Sequence, residues 1–308
     1  MKQPPRPKKT APKATHAGFV AILGAPNAGK STLLNHLIGQ KISIVSPKPQ
    51  TTRMRTLGVL TEGDMQRTFV DTPGIFAPKR RLDEAMVNVA WQSLADADAV
   101  MLMVDASVKQ PDEKTEAIIE ALKAKQQRVI LALNKVDAVD KARLLPIAEK
   151  LNDSGAFSEI FMISALTGDG VADLKTHLKK LMPESPWFFE EDQLSDLPSR
   201  LIAAEATREQ LFRQLQQELP YGLAVIPESW EEKKDGSVVI RQKILVARES
   251  HKPMVLGAGG SRIKSIGAAA RMEIEKMLGL KAHLFLEVKV DEKWQDRVEI
   301  YQMFGLEE

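Results

Sequence analysis

Residues Gly24-Ala25-Pro26-Asn27-Ala28-Gly29-Lys30-Ser31 fit G-x-x-x-x-G-K-[ST], directly behind an apolar run and ahead of the helical stretch Thr32 to Ile38. Backbone amides in such a loop turn inward around a phosphate at a helix N-terminus. Lys30 then offsets charge on the β- and γ-phosphates, and the Ser31 hydroxyl can ligate Mg²⁺. The bland reading is a glycine turn beside a chance lysine, so the company of the motif decides. Asp71-Thr72-Pro73-Gly74 follows the apolar run Thr68 to Val70. It sets a carboxylate where it can hold Mg²⁺ through water and the Gly74 amide near a γ-phosphate, whose loss would release the loop.

Asn134-Lys135-Val136-Asp137 closes the run Val129 to Leu133. Guanine offers two donors on its N1 and N2 edge and Asp137 can accept both. Adenine would leave that carboxylate unpaired, at a cost of about 3 to 6 kcal/mol. Ser164-Ala165, after Ile160 to Ile163, should close the base pocket with a backbone amide. Singly, N-K-x-D or S-A occurs by chance; four such motifs in this order, each at the end of an apolar run, do not.

The elements that must position these residues are legible as well. Phe19 to Leu23, Thr68 to Val70, Val100 to Val104, Val129 to Leu133 and Ile160 to Ile163 read as fully apolar strands separated by helices. That pattern indicates a parallel sheet covered on both faces, whose ligands sit beyond the carboxyl ends of the strands. Pro183 to Pro198 holds three prolines and the acids Glu190, Glu191, Asp192 and Asp196, the composition of a linker that permits motion. Beyond it Arg200 to Leu219 reads as a helix, Leu223 to Trp230 and Val238 to Ala247 as strands, Ser261 to Leu278 as a helix and His283 to Val290 as a strand.

Length and composition agree: 308 residues suggest two domains, and 44% hydrophobic with 27% charged residues is a globular balance. The absence of cysteine removes disulfides, thiol nucleophiles and cysteine-ligated metals, and the five histidines have no zinc spacing. Net charge is +2, but residues 1–17 carry +5 and no acid, which reads as a disordered arm, either a solubilising tail or a contact for RNA phosphates. No apolar run approaches the ~18 residues of a membrane helix, and a soluble cytoplasmic protein is expected.

The four motifs together resemble the translation-factor-related class of P-loop GTPases. The resemblance implies GTP and GDP as substrate and product, Mg²⁺ held through Ser31, Asp71 and a switch threonine, and a switch at Gln50-Thr51-Thr52-Arg53. Thr52 is the favoured threonine and Thr51 the alternative. One position departs from the Ras type, which orients the attacking water with a glutamine directly after D-x-x-G. Ile75 stands there and cannot hydrogen-bond water. Slow intrinsic turnover is expected, with Lys30, Asn27 and Gly74 as the catalytic candidates. Potassium-dependent GTPases carry asparagine at the position of Asn27, which implies a K⁺ ion in place of an arginine finger; the alternative is that Asn27 only shapes the loop.

Val255 to Ile266 holds a second motif, the G-x-x-G loop Gly257-Ala258-Gly259-Gly260 at the mouth of a helix. It resembles the KH domain, in which this loop clamps about four nucleotides of single-stranded RNA. Met254, Val255, Ile263 and Ile266 are candidates for the base groove, and Lys252, Arg262 and Lys264 for phosphates. Residues 238–281 carry nine Lys or Arg against three acids, a net +6. Ala258 and Gly259 supply no basic side chain inside the loop, where KH domains often carry one.

A single GTPase domain followed by a KH domain, with Gln40-Lys41-Ile42-Ser43-Ile44 and Glu218-Leu219-Pro220-Tyr221, resembles the Era GTPase family over residues 18 to about 305. The fold implied is α/β, a P-loop GTPase domain with a mostly parallel sheet over 18–182, a linker over 183–198, and an α+β type II KH domain over 199–308 with a C-terminal tail. The resemblance also implies a monomer that binds the 3′ end of 16S rRNA and acts in maturation of the small (30S) ribosomal subunit. A tandem-GTPase factor would need a second phosphate loop, and a tRNA-modifying GTPase a cofactor domain; the sequence has neither. A signalling GTPase peripheral to the inner membrane is the alternative, since the basic arm and patch could meet anionic lipid.

Overall fold

The computed structural model describes residues 14–48, 51–78, 80–108, 113–126 and 129–306. The first domain runs β1 (His16–Gly24), α1 (Lys30–Ile38), β2 (Thr56–Glu62), β3 (Met65–Asp71), α2 (Arg81–Gln92), β4 (Ala99–Asp105), α3 (Glu113–Ala124), β5 (Val129–Asn134), α4 (Lys141–Asn152), β6 (Phe157–Ile163) and α5 (Val171–Lys179). Its six strands are ordered β2-β3-β1-β4-β5-β6, with only the β2 pairing antiparallel. Alternate residues of β1 build the two layers. Val20 and Ile22 pack with Leu33, Leu37, Leu174 and Leu178 of α1 and α5, while Ala21 and Leu23 face Ala90, Ile118 and Leu144 of α2, α3 and α4. The carboxyl ends of β1, β3 and β5 therefore emerge together, and each carries one of the motifs.

The second domain comprises α6 (Ser199–Gln214), β7 (Leu223–Glu232), β8 (Val238–Val246), α7 (His251–Leu256), α8 (Ser261–Leu278) and β9 (Ala282–Val290). Its sheet is ordered β7-β8-β9, antiparallel then parallel. Helices α6 and α8 cover one face through Ala203, Ala206 and Ile274. A last helix, α9 (Val298–Met303), follows a short turn at Trp294. Trp294, Ile300, Tyr301 and Phe304 pack with Met54, Leu82 and Met86 of the first domain and Ala224 and Leu245 of the second, so one apolar cluster spans both.

Two expectations change here. Residues 1–13 of the expected arm lie outside the described residues, but β1 begins at His16 and Ala17 is wholly buried, because their backbone completes the ladder with β3 and reaches Glu184 and Pro183. The stretch 183–198 is a strap rather than a free linker. Gln66 Oε1 accepts the amides of Phe188 and Phe189 at 2.9 and 3.0 Å, Asp196 Oδ1 accepts that of Leu57 at 3.1 Å, and the Leu194 carbonyl accepts that of Val59. The C-terminal tail is folded into the interdomain cluster.

Candidate functional site

The phosphate loop crosses from β1 to α1 through left-handed turns at Asn27 (φ 66°) and Gly29 (φ 99°). Lys30 is buried and bends back to donate to the carbonyls of Gly24 and Ala25, both at 3.1 Å. Burial lowers its pKa to about 8, against the opposing pull of Asp71. An anion of high charge would take the ammonium from those carbonyls and restore its proton affinity.

At the floor, Ser31 Oγ donates to Asp71 Oδ2 at 2.6 Å and lies 2.9 Å from Thr52 Oγ1, while Ser43 Oγ donates to the same Asp71 oxygen at 2.9 Å. Asp71 is fully buried and its second oxygen, Oδ1, has no hydrogen-bond partner. Burial pushes its pKa up, opposed by Lys30, Ser31, Ser43 and Thr52. A buried carboxylate with an open oxygen beside two hydroxyls is the hard donor set Mg²⁺ takes, so Ser31, Thr52 and Asp71 fit the ion. Thr51 turns away, its hydroxyl donating to the Lys48 carbonyl at 2.7 Å. Ser43 lies in the stretch Gln40 to Ile44 that carries the resemblance, but nothing in that stretch gave it a role at the site.

Thr72 anchors its loop by donating to the Ile22 carbonyl at 2.9 Å, with Pro73 following it. Gly74 meets the phosphate loop so closely that a Cβ there would stand 2.9 Å from the Pro26 nitrogen. Ile75 is buried in the core and its amide reaches the Gly24 carbonyl. Asn27 is exposed and donates to the Pro47 carbonyl at 2.9 Å, tying the phosphate loop to the 44–48 segment. These residues enclose a cavity of about 430 Å³ whose lining includes Pro26, Lys30, Ser31, Thr52, Gly74 and Lys135.

On the base side, Asn134 is a brace. It donates to the Ala28 carbonyl at 2.7 Å and accepts the Ala165 amide at 2.9 Å. Lys135 pairs with Asp105 at 2.6 Å, and the exposed Asp137 sits with Val136 in a short turn beyond. Of the Ser164-Ala165 pair, the Ser164 amide reaches the Asp169 carbonyl and the Ala165 amide is taken by Asn134, so both residues shape the loop beside the base site.

The switch segment holds the largest surprise. Gln50 lies outside the described residues. Arg53, expected as a member of the switch, is buried against the second domain, where it donates to the carbonyls of Leu223, Pro220 and Tyr221 at 2.5, 3.2 and 3.1 Å. Lys48 donates to the carbonyls of Phe212 and Leu215 at the end of α6, and Lys41 pairs with Glu209 at 2.5 Å and Glu273 at 2.7 Å. Cations from 41–53 thus meet carbonyls and carboxylates of the second domain.

In the G-x-x-G loop, Gly257 (φ 72°), Gly259 (φ 57°) and Gly260 (φ 77°) are left-handed. A Cβ on Gly257 would stand 2.7 Å from that of Arg262. Met254, Ala258, Gly259, Arg262 and Lys264 are exposed, and Lys252 and Ile263 partly so. Arg262 donates to the Met254 carbonyl at 2.6 Å. Val255 and Ile266 are not groove residues: both are wholly buried with Leu211, Ile244 and Val288. They are inward-facing residues of α7 and α8, and Leu256, Ile263 and Leu286 form the partly exposed margin.

Fold and site together define a P-loop GTPase joined to a KH domain. Residues 19–135 match the family model described as 50S ribosome-binding GTPase, and residues 218–295 match the KH domain. The chain belongs to the GTPase Era family. It is 54% identical over 299 residues to GTPase Era of Erythrobacter litoralis, covering 96% of this chain and 98% of that protein. It is 53% identical over 294 residues to GTPase Era of Mesorhizobium japonicum, covering 96% and 94%. A crystal structure of Era in complex with MgGDPNP and nucleotides 1506–1542 of 16S ribosomal RNA superposes with a TM-score of 0.89 at 40% identity, over 94% of this chain and 99% of that one. An Aquifex aeolicus Era variant bound to GDP·AlF4⁻ gives the same values.

Proposed function

We propose that this protein is a cytoplasmic, monomeric GTPase that binds the 3′ segment of 16S rRNA through its KH domain and uses slow hydrolysis of GTP to GDP and phosphate to time its part in small-subunit assembly. The observation that carries the reading is the presence, in one chain, of an exposed G-x-x-G loop with a basic flank and a phosphate loop whose Ser31 lies within hydrogen-bond reach of Thr52 and Asp71. The likeness to an Era bound to MgGDPNP and a 16S segment supports the choice of RNA.

In this reading Mg²⁺, held through Ser31, Thr52 and Asp71, neutralises charge on the β- and γ-phosphates. Lys30 leaves the loop carbonyls for the phosphates, and Asp137 selects guanine. Ile75 is locked in the core and supplies no hydrogen bond to water, which supports a slow intrinsic rate. The Asn27 amide nitrogen is engaged by Pro47, and its oxygen is the atom that would meet K⁺. The test is GTP turnover in KCl and in NaCl, with and without an oligonucleotide of the 16S 3′ end. Stimulation by both K⁺ and RNA is expected. Equal rates in the two salts would remove the potassium part, and indifference to RNA would remove the coupling.

A further inference from the structure

Thr52 is gripped on both sides by the second domain. On its N-terminal side, Arg208 Nη2 of α6 donates to the Thr51 carbonyl. That carbonyl shares a planar peptide with the Thr52 amide, so holding the oxygen fixes the plane from which the Thr52 side chain departs. On its C-terminal side, Arg53 is sunk among the carbonyls of Pro220, Tyr221 and Leu223. Arg208 is itself locked. Its Nε donates to Glu205 at 2.7 Å, and its guanidinium lies 5.2 Å from the Phe212 ring centroid. A buried guanidinium aimed at a loop carbonyl of another domain is a costly arrangement, and α6 packing alone does not require it.

We propose that Arg208 is a positioning residue for the GTPase reaction: a side chain of the KH domain that sets Thr52 onto the metal-binding oxygens of Ser31 and Asp71, so that the seat of the KH domain governs how tightly the switch closes. This deepens the proposed function and rests on its assignment of Mg²⁺ to Ser31, Thr52 and Asp71. The grip acts on the threonine and not on the phosphate loop. It therefore affects the Mg²⁺-bound GTP state and leaves the hold on GDP as it is.

The test uses the full chain carrying Arg208→Ala, with Lys234→Ala, an exposed cation of the β7–β8 turn, as the control. Two quantities are read: the Mg²⁺ concentration giving half-maximal turnover, and the release rates of fluorescent GDP and of a non-hydrolysable GTP analogue in Mg²⁺ and in EDTA. In Arg208→Ala the Mg²⁺ requirement should rise, and the Mg²⁺-dependent retention of the GTP analogue should fall, by about tenfold, the equivalent of one charge-assisted hydrogen bond. GDP release should not change, and Arg208→Lys, which keeps a donor, should recover part of the loss. If the isolated loss of Arg208 unfolds the chain by stranding Glu205, the paired change Glu205→Gln with Arg208→Met removes both charges and is read the same way. Wild-type Mg²⁺ dependence and analogue release in a folded variant lacking Arg208 would overturn the proposal. Asp71→Asn separates the premise: if it keeps the wild-type Mg²⁺ response, the metal assignment fails and the proposal with it, whereas a lost response in Asp71→Asn beside a normal one in Arg208→Ala sinks the positioning role alone.

Discussion

The Arg53 guanidinium donates to the Leu223 carbonyl at 2.5 Å, across the boundary between the GTPase and KH domains. Burial lowers the pKa of this arginine to about 9, with Arg208 adding to the effect and Glu205 and Asp83 opposing it. The group stays charged at neutral pH and draws on carbonyl dipoles and the flanking rings of Phe212 and Trp294, 5.7 and 5.8 Å away. Arg53→Ala strands three buried carbonyls, a loss of about 3 kcal/mol or more. In urea unfolding the midpoint should fall accordingly, and a single transition should split in two as the domains lose their shared anchor. One unsplit transition within ~1 kcal/mol of wild type would show that the contact contributes nothing.

The parts of this molecule that obey a local rule were legible in its residues. Strands β1, β4 and β5 are nearly all apolar because both faces are covered, and their ends carry the motifs. What escaped depends on partners distant in the chain. Strand β2 carries only the short run Leu57 to Leu60, interrupted by Gly58, and half-buries its far end, so Thr56–Glu62 stands out less than the strands that end in a motif. The 183–198 strap has a linker's composition, and what holds it down, the buried amide of Gln66 and the backbone of Leu57 and Val59, lies more than a hundred residues earlier. Arg53 reads as part of the switch by its neighbours, and nothing in the helical stretch Arg200 to Leu219 singles out Glu205, Arg208 or Glu209. Each is buried because the other domain brings the opposite charge or dipole to it. Val255 and Ile266 were misplaced because Met254, Val255, Ile263 and Ile266 are all apolar, and only the packing of α7 and α8 on the sheet decides which of them face inward.

Lys30 should make nucleotide binding take up a proton in alkaline solution. Its pKa in the fold, about 8, lies below the 10.5 of the free side chain. The neutral amine therefore favours the nucleotide-free fold, and that stability is present above pH 10.5 and lost as pH falls through 8. A phosphate reverses the preference by pairing with the ammonium. Calorimetry of GDP binding at about pH 9, in two buffers of different ionisation enthalpy, should show uptake approaching one proton per nucleotide. Affinity should weaken as pH rises from 8 toward 10.5. Observed heats that are the same in the two buffers would mean that no proton is taken up and the ammonium is already protonated in the empty loop.

Asn134 joins the phosphate loop to the base loop through two buried hydrogen bonds, to the Ala28 carbonyl at 2.7 Å and from the Ala165 amide at 2.9 Å. Asn134→Ala leaves both partners unsatisfied, a loss of about 2 to 5 kcal/mol. Asn134→Asp keeps the acceptor for Ala165 but turns an oxygen toward the Ala28 carbonyl, and should be at least as damaging. Denaturant midpoints and GDP affinities of the two variants check this. A chain in which Asn134→Asp is the milder change would show that the donor to Ala28 is dispensable.

The KH reading distinguishes charge from groove by salt. Lys264 is exposed one turn into α8, beside the positive-φ glycines. If it meets a phosphate, Lys264→Ala should weaken every single-stranded RNA by a similar factor, because a phosphate contact carries no base information. It should also reduce the slope of log affinity against log salt by about 0.7, the counterion released per neutralised charge on a single strand. Ile263 lies on the same helix, partly exposed and packed against the core margin. Ile263→Ala should leave the salt slope at its wild-type value and weaken some sequences more than others, as loss of an apolar wall against unstacked bases would. Binding isotherms of both variants at three salt concentrations, on the 16S 3′ oligonucleotide and on a scrambled one, separate the cases. If Lys264→Ala leaves the slope unchanged, RNA does not cross this face of the loop, and the basic side chains around β8 become the place to look for its backbone.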